Sequence, residues 1–287
     1  MFSRTVTARR VYDGVPAPQT YPALRMPSVS AVISTFERPD ACERALRSAL
    51  AQEPAPDEVL VCDDGSRDST SERLGAWERR DGRVRYIRVE PNRGTPAPAR
   101  NAGVAAARGE WVAFLDDDDE WLPGKLAAQL AHVDDADVIA TNATTTTGAP
   151  YFPQATAAAR PGRREMLADN PVINSSAVVR RSLLQAAGGF PVEPWLRGLE
   201  DYAAWLALAD AGARFLVLGE PLVRYETHGD GRMSGGAPAR VELAAARLAW
   251  RRLLRRPRDP ALLRAALNKT AAAAQASPRL LKISSKR

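Results

Sequence analysis

The chain predicts an α/β fold built on a largely parallel sheet, and three observations carry that prediction. Short apolar runs alternate with segments of helical periodicity through the first half. Several runs stop abruptly at polar or acidic clusters, as buried strands do where they leave a sheet at its rim. One run, Trp111, Val112, Ala113, Phe114 and Leu115, is followed directly by four aspartates, Asp116, Asp117, Asp118 and Asp119.

In chain order, residues 28–33 read as a first strand after a proline-rich lead. Pro39 then opens a helix in which Cys42, Ala45, Leu46, Ala49 and Leu50 recur at helical spacing. Residues 59–62 form a second apolar run ending in Asp63, Asp64, Gly65 and Ser66. Leu74 and Trp77 mark the helix behind it, and residues 84–87 read as a third strand. A helix over residues 99–107, closed by Gly109, leads into the strand that ends in the aspartates. Leu126, Leu130 and Val133 place another helix after Pro123. Residues 141–147, threonine-rich and low in complexity, read as a loop or edge segment facing acceptor or solvent. Leu183, Leu184 and Ala187 precede Gly188 and Gly189, the pattern of a glycine-capped helix. Glu200 and Asp201 open a helix carrying Trp205, Leu206 and Leu208, and residues 216–218 form a late strand.

Four adjacent carboxylates repel one another unless a positive group sits among them. The economical candidates are a divalent cation, whose hard charge suits oxygen ligands, and a phosphate-bearing substrate held through it. A solvated acidic turn remains the alternative. Parallel strands bring residues 35–38, 63–65 and 116–118 onto one rim, where open α/β sheets bind ligands. There is no GxGxxG or GxxxxGK[ST] motif, and an EF-hand fails because its sixth loop position is Trp121.

At 287 residues, 26% charged and 45% hydrophobic, the chain can bury a sizeable core as one large domain or two small ones. Cys42 and Cys62 stand apart in apolar contexts, as reduced core residues of a cytosolic protein do, and there is no CxxC. Residues 11–27 lack the continuous apolar stretch of a signal peptide, and no run of about 18 apolar residues could span a bilayer. Asn174, Ser175 and Ser176 form a sequon that the cytosolic cast leaves without a role. The net charge of +6 is local: residues 240–287 hold thirteen Lys/Arg against Glu242 and Asp259, so the remainder is net negative. That weakens a nucleic-acid function for the main body. Within residues 241–256, Leu243, Ala246, Trp250, Leu253 and Leu254 share one helical stripe, with Arg247, Arg251, Arg252, Arg255 and Arg256 opposite. Such a helix either docks its stripe on the domain or lies on an anionic membrane.

Taken in order, Phe36–Glu37–Arg38–Pro39, the Cys62–Asp63–Asp64–Gly65–Ser66 exit, Ala99–Arg100–Asn101–Ala102–Gly103, the tetra-aspartate, Gly188–Gly189–Phe190, Glu200–Asp201 and His228 form a recognisable set. The chain resembles family 2 glycosyltransferases, over about residues 29–228. The resemblance implies a GT-A fold with a mostly parallel central sheet flanked by helices, a C-terminal helical extension, and an inverting mechanism. It implies that Asp64 contacts the donor nucleoside, that Thr35, Phe36, Glu37 and Arg38 frame the base, and that Arg100 sits against the nucleotide. Asp116, Asp117 and Asp118 correspond to the Asp-x-Asp element, with Asp118 and Asp116 as metal ligands; the register is open by one, leaving Asp117 and Asp119 as alternatives. Asp201, paired with Glu200, would be the general base, and His228 a further metal ligand. Ser34 replaces the usual proline, and Phe36–Glu37 replaces a tyrosine–asparagine pair, which removes a hydroxyl there.

The expected organisation is an irregular extension over 1–27, a transferase domain over 28–232, and a flexible loop with a basic amphipathic helical tail over 233–287, with residues 229–236 a candidate lid. The expected cofactor is Mn²⁺ or Mg²⁺. The expected partners are a nucleotide-diphosphate sugar donor and a glycan, lipid-linked or small-molecule acceptor, with no nucleic acid. The expected setting is cytoplasmic, with a peripheral contact at the inner face of the plasma membrane if the tail engages lipid. The expected role is cell-surface polysaccharide or glycolipid assembly. Two rivals stand beside it: a non-catalytic sugar-nucleotide-binding scaffold on the same fold, and a nucleotidyltransferase. The latter would want a glycine-rich basic loop after the first strand, where only Arg38 is found.

Overall fold

Strands β1 (Val29–Thr35), β2 (Glu58–Asp63) and β4 (Trp111–Asp116) are apolar runs buried along almost their whole length, as expected of parallel strands covered on both faces. The computed structural model describes residues 26–226 and 238–276. Helix α1 (Pro39–Leu50) starts with its proline in the first turn, where the missing N–H costs nothing, and buries Cys42, Ala45, Leu46 and Ala49. Helix α2 (Thr70–Arg80) leads to β3 (Val84–Arg88), and α3 (Ala97–Ala106) leads to β4. Strands β1, β2, β3 and β4 pair in parallel. In register, Thr35 lies opposite Asp63 and Ser34 opposite Asp116, so the three polar strand ends meet on one rim as predicted.

Alternate residues on each strand serve opposite layers. Val32, Leu60, Val112 and Phe114 face one core with α3, and Ile33, Val61, Ala113 and Leu115 face the other with α1 and α2. Helix α3 crosses its strands at close range: a Cβ on Gly103 would lie 2.5 Å from Val32 Cγ1 and 3.0 Å from Cys62 Sγ. A side chain there would push the helix off the sheet.

The second half adds β5 (Glu120–Trp121), α4 (Lys125–Leu130), β6 (Val138–Thr145), α5 (Arg163–Ala168), β7 (Val178–Arg180), α6 (Arg181–Ala186), α7 (Glu200–Asp210) and β8 (Phe215–Tyr225). The eight strands run β3-β2-β1-β4-β7-β6-β8-β5. Strand β7 pairs antiparallel with both β4 and β6, β5 with β8, and β6 runs parallel to β8. The glycine cap of α6 forms as expected, with Gly188 and Gly189 at positive φ and the Gly189 N–H donating to Leu184 O at 2.9 Å.

Residues 141–145 belong to β6, an interior strand, instead of a loop or edge. Threonine's branched side chain suits a pleated surface, and the polar groups are satisfied internally. Asn142 donates from Nδ2 to Phe152 O and accepts from the N–H of Phe152 and of Ala143.

Helices α8 (Pro238–Arg255) and α9 (Pro260–Ala276) pack on the α7 side and contribute Leu248, Ala249, Leu253, Leu262 and Ala266 to that layer's core. The docked face matches the expected stripe only in part, since Ala246 and Leu253 are buried while the rest of the stripe is not. Arg247 and Arg251 stack on the Trp195 ring at 4.5 and 4.9 Å, while Arg252 donates to Leu206 O at 2.9 Å and to Asp210. Leu243, Trp250 and Leu254 face outward. Alanines at 244, 245 and 249 allow close approach, and the carboxylate of Asp210 draws the arginine side inward.

Candidate active site

The loop after β1 is tied into the rim by its own polar atoms. Thr35 Oγ1 donates to Asp117 Oδ2 at 2.8 Å, and the Phe36 N–H reaches the same oxygen at 3.4 Å. Glu37 sits in the left-handed region, φ 52°, a costly conformation held by its N–H donating to Ser66 Oγ at 2.8 Å. Arg38 Nη1 donates to Asp118 Oδ2 at 2.7 Å and Asp117 Oδ1 at 3.3 Å. At the end of β2 the two aspartates divide. Asp63 accepts from the Ser66 N–H and hydroxyl and from Tyr86, which makes it a turn residue. Asp64 keeps a buried Oδ1 without a partner, and burial raises its pKa to about 6.

The four aspartates divide three to one, with Asp116, Asp117 and Asp118 on the cleft and Asp119 behind. Asp116 Oδ1 accepts from Arg100 Nη2 at 2.6 Å, Asn174 Nδ2 at 3.1 Å and Ser34 Oγ at 3.2 Å. Asp117 is buried, and its pKa is raised to about 6 by burial and then by Asp118. Asp118 is half-buried and faces the cleft with Asp116 and Asp117. Asp119 is turned behind them, accepting from the Ser175 hydroxyl and, at 2.9 Å, from the Glu226 N–H; burial holds its pKa well above the ordinary range. It anchors the acidic run to the end of β8.

Opposite stands the first turn of α7. Glu200 accepts from the Gly198 N–H at 2.7 Å and from Arg100 Nη1 at 3.1 Å. Asp201 accepts from the Tyr202 N–H at 2.7 Å. Burial and the neighbouring Glu200 charge raise its pKa, with Arg100 opposing. Arg100 is itself buried, spanning Asp116 and Glu200 with its guanidinium 5.5 Å from the Phe190 ring. Next to it, Asn101 clasps Phe190 through Nδ2 to the carbonyl at 2.7 Å and Oδ1 from the N–H at 2.8 Å. Gly189 at φ 71° allows that clasp, since a Cβ there would lie 2.5 Å from Asn101 Oδ1. Phe190 then packs edge-on against Phe114 and Trp205.

Thr35, Phe36, Glu37, Arg38, Asp64, Arg100, Asp116, Asp117, Asp118, Glu200 and Asp201 all line one cleft of about 740 Å³. His228 and residues 229–236 lie outside the described residues. Sequence reasoning passed over Asn174, Tyr151, Phe152 and Tyr225, which line the same cleft. Asn174 had a signal, a polar triplet after apolar Val172 and Ile173; the Tyr151 and Tyr225 rings, 5.0 Å apart, come together through the β6–β8 pairing and the turn after β6, which returns the Tyr151 N–H to Ala143 O at 2.8 Å.

Among the described residues no three His, Cys, Asp or Glu side chains are gathered as a ligand set. The donors nonetheless fit a hard cation. A guanidinium already spans Asp117 and Asp118, and Asn174 holds a buried, unpartnered Oδ1 next to Asp116. Magnesium-type sites use one or two carboxylates and take the remaining oxygens from substrate phosphates and water.

A family model described as glycosyl transferase family 2 matches residues 30–184. The succinoglycan biosynthesis protein ExoO of Rhizobium meliloti is 44% identical over 112 residues, 39% of this chain and 31% of that protein. A GalNAc(5)-diNAcBac-PP-undecaprenol beta-1,3-glucosyltransferase of Campylobacter jejuni is 36% identical over 102 residues, 36% of this chain and 33% of that protein. The matches thus span about a third of these relatives. Among solved structures, S. aureus TarS 1-349 with UDP-GlcNAc aligns at TM-score 0.64 and 23% identity, covering 79% of this chain and 66% of that one. The mannosyltransferase PcManGT of Pyrobaculum calidifontis, with GDP-Man and Mn²⁺, aligns at 0.66 and 20%, covering 97% and 80%. The two structures establish the GT-A fold.

Proposed function

Since the chain belongs to glycosyl transferase family 2, we propose that it moves a glycosyl group from a nucleoside-diphosphate donor to an acceptor hydroxyl, with inversion. One observation carries this. An unpartnered Asp64 oxygen, the Asp116–Asp118 run and buried Asp201 share a single cleft at the carboxyl rim of a parallel sheet.

Asp64 Oδ1 is the acceptor for an N–H or O–H of the nucleoside, and residues 35–38 close over the base. Asp118 and Asp116, with His228 as the expected third ligand, would hold Mn²⁺ or Mg²⁺. When bound, that ion neutralises charge on the departing diphosphate. Asp201 takes the acceptor proton, and its raised proton affinity suits a base working near neutral pH. Glu200 is committed to Arg100 and the Gly198 N–H, whereas Asp201, held by the Tyr202 N–H alone among the hydrogen bonds of the described residues, is the carboxylate of the pair assigned to the base role. The relatives, a succinoglycan biosynthesis protein and an undecaprenol-linked glucosyltransferase, favour a growing polysaccharide or a lipid-linked glycan as acceptor. A station in the cytoplasm, at the inner face of a membrane, belongs to the same reading.

The test is calorimetric titration of UDP, GDP and dTDP with Mn²⁺ or with EDTA, using the parent protein and Asp118→Ala. Tight binding of one nucleotide that needs the metal and is weakened by the substitution supports the reading. Binding that is indifferent to both removes the cation and Asp118 from it.

A further inference from the structure

The described residues expose eight large apolar side chains, and five of them lie on the last two helices: Leu243, Trp250, Leu254, Leu263 and Leu267, at 43, 39, 76, 45 and 54% exposure. They form one face. Leu243, Trp250 and Leu254 follow helical spacing on α8, and Leu263 and Leu267 precede Thr270 by two turns and one turn on α9. Trp250 Nε1 donates to Thr270 Oγ1 at 2.9 Å, which joins the two stripes side by side. Neither helix needs this face for packing, because Leu248, Ala249, Leu253, Ala265 and Ala266 fill the core from the opposite side.

Basic side chains outnumber acidic ones around the face. Arg240 and Arg255 are exposed on α8 and Arg264 on α9; Arg247 and Arg251 are exposed as well, although their guanidiniums also stack on Trp195. Two acids of the hairpin oppose them, and from the domain Glu193 shares a small pocket with Arg251 and Arg255. Glu242 is half-buried, and Asp259 is occupied in capping α9 through the Ala261 and Leu262 N–H groups and in pairing with Arg163 at 2.8 Å. The sequence beyond α9 adds Arg279, Lys282, Lys286 and Arg287 without an acid.

We propose that the outward face of the α8–α9 hairpin is a docking surface for an anionic lipid bilayer. Leucines and a tryptophan enter the headgroup boundary while the surrounding arginines meet lipid phosphates, the combination that holds an amphipathic helix in a membrane interface. A protein partner would find little apolar area free of arginine, and a nucleic acid would gain nothing from five exposed apolar side chains. The proposal stands on this face alone and does not depend on the chemistry of the cleft.

The experiment is co-sedimentation of the full chain with phosphatidylcholine vesicles, with and without phosphatidylglycerol. Binding is expected only to the anionic vesicles, falling as salt is raised. Leu254→Gln with Leu267→Gln should weaken it by at least tenfold, since each buried leucine contributes about that factor. Arg255→Gln and Arg264→Gln should each weaken it about fivefold. All four side chains are exposed, so unchanged thermal unfolding keeps the comparison clean. A second readout is quenching by brominated lipid that disappears in Trp250→Phe. The proposal is overturned if the parent stays in the supernatant, or if parent and double variant sediment equally. It is also overturned if equilibrium ultracentrifugation finds a dimer that the leucine substitutions dissociate while lipid is ignored; the face would then join two copies of the chain.

Discussion

Arg100→Ala should destabilise the protein more than most single substitutions, and the reason can be worked from three carboxylates. The guanidinium, 5% exposed, lies 2.6 Å from Asp116 and 3.1 Å from Glu200, and acts on Asp201 as well. Removing it leaves buried charge uncompensated, which costs about 3–5 kcal/mol. Asp116 keeps its Ser34 and Asn174 donors and is partly open to water, so about 3 kcal/mol is the better figure. For a chain of this size that lowers Tm by roughly 6–12 °C. Arg100→Lys keeps the charge but offers one point where two carboxylates need a fork, so it should fall in between. Differential scanning calorimetry at neutral and acid pH is the assay. The deficit should narrow on acidification, which discharges carboxylates. Melting of Arg100→Ala within about 2 °C of the parent at neutral pH would refute the clamp.

Other outcomes follow from the same geometry. Asp201→Asn should lower transfer by about 10²- to 10⁴-fold with nucleotide affinity unchanged; loss of both would make it a binding residue. It should also melt above the parent at neutral pH. The raised pKa means that the native state holds its proton more tightly than the unfolded chain does, so ionising Asp201 costs stability as pH rises. For the same reason the acid limb of kcat/KM should lie above the ordinary carboxylate range of about 4, and Glu200→Gln should move it down. An unmoved limb would assign the titration elsewhere. Gly189→Ala should cost about 1–3 kcal/mol by urea unfolding, since the backbone is left-handed and the new methyl meets Asn101; a neutral result would mean that the Phe190 clasp gives way freely.

The rim was legible because parallel strands covered on both faces leave continuous apolar runs, and each run here ends in a polar cluster. That pattern predicts β1, β2 and β4 and places residues 35–38, 64 and 116–118 together. Strand β6 was hidden because its threonines and Asn142 are polar by type yet satisfied inside the fold. Two-residue β5 is too short to carry a period. A lone arginine in sequence says nothing of its partners within the protein, so the tie that Arg100 makes between the end of β4 and the start of α7 shows only in the fold. A helical wheel marks which residues of α8 are apolar, but not that Trp195 and Asp210 wait on the arginine side. The Tyr151–Tyr225 pair depends on the β6–β8 register and on the turn that folds Tyr151 back onto Ala143.

The most direct measurement is release of nucleoside diphosphate from UDP-, GDP- and dTDP-sugars by the parent protein and by Asp201→Asn, each first titrated for donor binding. The account predicts one donor class that both proteins bind and only the parent turns over. Turnover by Asp201→Asn at the parent rate, or a parent that binds none of the donors, would contradict it.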